Sequence, residues 1–153
     1  MGLFAESWSA LERQIEQRLR DECGLPGLWF VLLLRIARSP DQRLRMSDLA
    51  GQTGLSPSGL TRAIDRLEAV GYVERVACPS DRRGAFAALT AEGLETIRSA
   101  VGPHLKHVDA LLLNVLSQRE QDELATILRK LRDHVNPTAR FASQPEAARH
   151  SPQ

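Results

Sequence analysis

From residue 56 to residue 66 the chain reads Ser-Pro-Ser-Gly-Leu-Thr-Arg-Ala-Ile-Asp-Arg, a run rich in groups that bind phosphate or base edges when one helix presents them. Hydroxyls such as Ser56, Ser58 and Thr61, together with the N–H groups that lack intrahelical acceptors in a first turn, suit phosphate oxygens. Arg62, further along, can fork onto guanine O6 and N7. Arg66 adds a second cation, or pairs with nearby acids at helical spacing. A second set follows in the polar turn Pro79-Ser80-Asp81-Arg82-Arg83-Gly84. Arg82 and Arg83 at its tip suit the narrow, strongly negative minor groove of a duplex. Asp81 reads either as their companion or as an ordinary turn residue bonding local backbone.

Other reactive side chains give a weaker pattern. His104 and His107 lie three apart near Asp109 with no third well-placed ligand, so they read as ordinary histidines and no metal is expected. Cys23 and Cys78 are far apart and outside any C-x-x-C pairing, so neither a disulfide framework nor a zinc site is indicated. An oxidant-sensing thiol needs low pKa and access. Cys78, next to the polar turn, is the more exposed candidate. With no nucleophile–base pairing, glycine-rich phosphate loop or metal spacing, the chain is not expected to be an enzyme, and no cofactor is implied.

These groups must be positioned by a single domain, for the chain has 153 residues, 42% hydrophobic and 25% charged, as soluble globular proteins do. Net charge is only +1, so a case for nucleic acid rests on where the cations sit. All but Lys106 and Lys130 are arginine. The longest apolar run, Leu28 to Leu34, falls short of the roughly 20 residues a membrane helix needs. Met1-Gly2-Leu3-Phe4-Ala5-Glu6 has no basic region and does not resemble a signal peptide, so a cytoplasmic location is expected.

Ser9 and Glu12 have capping-box spacing ahead of Ile15 and Leu19, which predicts a first helix to about Cys23. Gly24 stops it, and Pro26 suits the first turn of a second helix that is apolar on nearly every face through Ile36. Trp29 or Phe30 can line a pocket there or serve as plain core. Ser39-Pro40-Asp41-Gln42 is a turn. Ser47 suits the cap of a short helix, Gly54 its stop, and Ser56-Pro57 the start of another whose inner face is Leu60, Ala63, Ile64, Leu67 and Val70. Gly71 ends it. Tyr72 to Ala77 and Ala85 to Leu89 then alternate as two strands of a hairpin around the polar turn.

Thr90 caps a long apolar-striped helix in which Gly102-Pro103 predicts a kink, and Ser117 and Glu120 form a capping box for a last helix carrying Leu124, Ile127, Leu128, Leu131 and Val135. These stripes exceed what a compact core can cover, which predicts that they interlock with a second protomer. Two-fold symmetry would then set paired helices about 34 Å apart, one duplex turn. The fold class is mainly α with a small β-hairpin wing. It is one domain over 1–136, with a winged helix-turn-helix core at about 43–93, dimerisation helices at about 7–23 and 91–136, and a disordered tail over 137–153.

From Arg45 to Gly93 the order S-D-L-A, G-L-S-P-S, L-T-R, R-L-E, G-Y-V-E-R, S-D-R-R and L-T-x-E-G resembles the DNA-binding core of the MarR family, the multiple-antibiotic-resistance regulators. The resemblance implies a homodimeric transcription factor, often a repressor. Such a protein leaves its operator when a small phenolic or amphipathic ligand, or an oxidant, acts on it. Ser56, Ser58, Thr61 and Arg62 match positions that contact DNA in relatives. Asp81 and Arg83 match a D-x-R wing motif in which the acid orients an arginine entering the minor groove. Gly59 departs from the pattern, where relatives often carry a hydroxyl or larger residue, and costs about 1 kcal/mol of helix propensity relative to alanine. Close backbone approach to DNA is one compensation. Three readings follow: a ligand-responsive repressor on a pseudo-palindromic operator, a thiol-based redox regulator of the same fold, and a winged-helix protein-interaction module that does not bind DNA.

Overall fold

A computed structural model describes residues 2–78 and 81–137, with the backbone alone at 81–83. Helix α1 (Gly2–Cys23) begins well before the Ser9 capping box, and Ser9 and Glu12 are exposed positions inside it. Nothing between Leu3 and Trp8 breaks a helix, so the chain has no reason to start one late. Helix α2 (Gly27–Ala37) has Pro26 as its cap residue instead of in its first turn. The missing cap acceptor comes from α1, where Glu16 Oε2 accepts from the Gly27 N–H at 2.7 Å. A side chain at residue 27 would collide with that carboxylate, so glycine permits the joint.

A short strand, β1 (Arg43–Arg45), follows a 3-10 turn and runs directly into helix α3 (Met46–Thr53). Sequence periodicity does not reveal β1, because only Leu44 of its three residues faces inward between two arginines. Ser47 is accordingly not a cap. Arg45 holds that position, its side chain not capping the helix, and Ser47 lies within it. Gly54 ends α3 in the left-handed region at φ 68°, as its position predicts. Ser56 then caps α4 (Pro57–Ala69), its Oγ accepting from the Gly59 N–H at 3.1 Å. Leu60, Ala63, Ile64 and Leu67 bury one face of α4, while Val70, beyond the last turn, is 44% exposed.

Strands β2 (Val73–Cys78) and β3 (Asp81–Leu89) are antiparallel, and β1 adds to β3 so that the sheet has three strands in the order β1-β3-β2 instead of being a bare hairpin. Thr90 caps helix α5 (Ala91–Leu111) through the Gly93 N–H, and its hydroxyl also donates to the Gly71 carbonyl at 2.6 Å. A Cβ at Gly93 would lie 1.9 Å from the Tyr72 carbonyl oxygen, so glycine lets α5 close on the wing. The helix continues through Gly102-Pro103. Helix α6 (Gln118–Val135) starts on the complete Ser117–Glu120 capping box. Leu32, Leu33, Ile36, Leu49, Ile64, Leu67 and Ile97 form a core shared by α2 to α5. No residue of α6 is buried.

Candidate nucleic-acid interface

Burial of the apolar stripe fixes the rotation of α4 and turns Ser58, Thr61, Arg62, Asp65 and Arg66 outward, all exposed, with Ser56 exposed at its start. Ser56 Oγ is engaged by the Gly59 N–H, and Thr61 Oγ1 donates to the Pro57 carbonyl at 2.9 Å. The Thr61 oxygen therefore retains acceptor capacity while its proton is committed inside the helix. The side chains of Asp81, Arg82 and Arg83 lie outside the described residues.

Arg75, on β2, has a role that the sequence pattern does not signal. Its guanidinium reaches Asp65 at 2.6 Å and Glu68 at 2.5 Å, and also donates to the Thr61 carbonyl at 3.3 Å. Its backbone N–H donates to the other Glu68 oxygen at 3.2 Å. One wing residue thus holds both outward carboxylates of α4. Arg66 does not pair with these acids, and among the described residues neither Arg62 nor Arg66 forms an ion pair. The two guanidiniums remain available to an external anion. Arg75 is missed at sequence level because its partners lie seven and ten positions away across a turn, beyond helical spacing.

Elsewhere the chemistry is structural. Cys78 is buried at 6% exposure, contrary to its reading as the more exposed thiol, at the end of β2 where the pairing with β3 is irregular. Burial, with Glu22 adding to it, pushes the Cys23 thiol up, opposite to what a reactive thiolate needs. His107 is held by its ring, Nδ1 on the Pro103 carbonyl at 2.8 Å and Nε2 against Arg18 and Glu22 at 2.7 and 3.1 Å. His104 packs against Phe30 with ring centroids 4.4 Å apart and planes tilted by 45°, and burial, then His107, lowers its pKa. Among the described residues no cluster of three metal-ligating side chains occurs. Phe30 is core, and Trp29 packs edge-on against Tyr72.

A family model described as MarR family matches residues 24–84. The regulator Sco3205 from Streptomyces coelicolor, a MarR family protein solved in complex with DNA, is 34% identical, with a TM-score of 0.82 over 95% of this chain and 89% of its own. AbsC, a MarR family transcriptional regulator from the same organism, is 35% identical with a TM-score of 0.83 over 88% of this chain and 90% of its own. The chain belongs to the MarR family. The transcriptional repressor MprA of Escherichia coli strain K12 is 32% identical over 108 residues, 71% of this chain, and the match spans 61% of MprA's length. These MarR family relatives are transcriptional regulators, not enzymes. Among the described residues no helix is long and apolar enough to cross a membrane.

Proposed function

We propose that this MarR family chain is a sequence-specific DNA-binding transcriptional regulator, a homodimeric repressor that places α4 of each protomer in the major groove of a pseudo-palindromic operator. The observation that carries this reading is the division of charge on α4: Arg75 takes up Asp65 and Glu68 and leaves Arg62 and Arg66 facing outward with no acid partner among the described residues. A surface so arranged attracts a polyanion although the whole chain is nearly neutral. Ser56, Ser58 and Thr61 position the helix on phosphates, Arg62 reads a base edge, and Arg66 adds charge. Arg82 and Arg83 reach the minor groove from the wing, with Asp81 orienting Arg83. Sco3205, similar over nearly the whole chain, was solved with DNA.

Pairing is supported by exposed apolar side chains at both ends of the chain, Leu3, Phe4 and Trp8 on α1 and Ile127, Leu131 and Val135 on α6. They form the type of surface that two-fold partners bury. Release by a small phenolic or amphipathic effector rests on the family resemblance, and a DNA-bound role places the chain in the cytoplasm. The test is a gel shift on a palindrome near the chain's own promoter across a salt series. Binding should weaken steeply with salt and weaken again in Arg83→Ala. Absence of affinity for any duplex at low salt would leave the protein-interaction reading in its place.

A further inference from the structure

Gly59 is explained neither by a left-handed backbone nor by a clash with neighbouring backbone. Gly24, Gly54 and Gly71 occupy the left-handed region, and Gly27 and Gly93 clear a carboxylate and a carbonyl. Gly59 has an ordinary helical backbone, and a Cβ added there would meet one atom within 4 Å, the Ser56 Oγ at 3.1 Å. Glycine is nevertheless the poorest helix former after proline, and here it occupies the first turn of α4. It lies three and seven residues before the exposed Arg62 and Arg66, at the spacing of one helix face, and is itself half-buried.

We infer that Gly59 is a specificity-determining position, where bare backbone lets the first turn of α4 press against a base-pair edge in the major groove and steric fit selects the base. This rests on the proposed function and adds a residue to it. A side chain would hold the helix off the groove floor, and with it the hydroxyls of Ser56 and Ser58 and the reach of Arg62. The same absence of a side chain explains why a stability cost persists at this half-buried helical position.

The experiment selects binding sites from a random duplex library with the full-length wild type, then measures affinity and melting of wild type, Gly59→Ala and Gly59→Ser. Both variants should bind the selected site at least about tenfold more weakly. Affinity for unrelated duplex and the salt slope should stay unchanged, and the base preferred at one position of each half-site should relax or change. Gly59→Ala should melt at the same temperature or about 2–4 °C higher, as a better helix former. Wild-type affinity and preference in Gly59→Ala would overturn the inference. A lower melting temperature would overturn it too, since the glycine would then be guarding the Ser56 cap. A wild-type protein that selects no sequence would instead overturn the DNA-reading function itself.

Discussion

Helices α4 and α6 are both amphipathic, yet they differ in what their apolar stripes touch. Leu60, Ile64 and Leu67 of α4 are at most 1% exposed, whereas Ile127, Leu131 and Val135 of α6 are 55%, 50% and 75% exposed. The stripe of α4 is completed within one chain, which fixes which side chains it turns outward. The stripe of α6 is completed by nothing among the described residues. An amphipathic pattern therefore specifies that a face will be covered, while the covering surface decides whether the helix contributes to the fold or to assembly.

The largest effect should come from the inner face of α4. Ile64→Ala should lower stability by about 2–5 kcal/mol, measured by urea unfolding, and by the same amount at every protein concentration. Leu131→Glu on α6 should leave the circular dichroism of the wing intact but give a monomer in sedimentation. Its loss of operator affinity should be about 30-fold or more, as when an interface residue worth 2 kcal/mol is removed. Equal, concentration-independent loss in both variants would erase the distinction between the helices.

On the outer face of α4, Arg62→Ala should weaken specific binding by about 1–3 kcal/mol with little change in melting temperature. Arg75→Gln should cost less, about 1 kcal/mol in DNA affinity, because exposed ion pairs contribute little individually while freed Asp65 and Glu68 repel phosphate. Neutralising those acids in the same background, as Asp65→Asn with Glu68→Gln, should restore most of the loss. The smallest effect belongs to His104, at the seam between the helices. Burial lowers its pKa, so the unfolded chain binds the proton more readily. Its contribution is present above about pH 6.5 and fades as pH falls through the lowered folded value. Melting from pH 7.5 down to 5.5 should decline less in His104→Gln than in wild type.

Much of this division is legible in the sequence, because helix periodicity and local capping are local signals. The caps at Ser56, Thr90 and Ser117 and the inner face of α4 follow from residues within one or two turns. Contacts that close across the fold escape such reading. Strand β1 is three residues with one inward side chain, and it exists because β3 offers it a free edge. Arg45 replaces Ser47 as the cap residue of α3 because β1 feeds straight into the helix. The capping box at Ser9 has the right letters but no break before it. Cys78 is buried at the irregular end of a strand pairing, and Arg75 finds its acids across a turn. The wing-tip expectation for Arg82 and Arg83 rests on their place in the polar turn, and the pairing of Asp81 with Arg83 on the family motif, their side chains lying outside the described residues.

Hydroxyl-radical footprinting of the full-length chain on its selected duplex tests most directly whether two copies present paired α4 helices to DNA. Two symmetric sets of protection centred about 34 Å apart, one turn of duplex, are the predicted result. One isolated protected patch, or protection that follows no sequence, would contradict it.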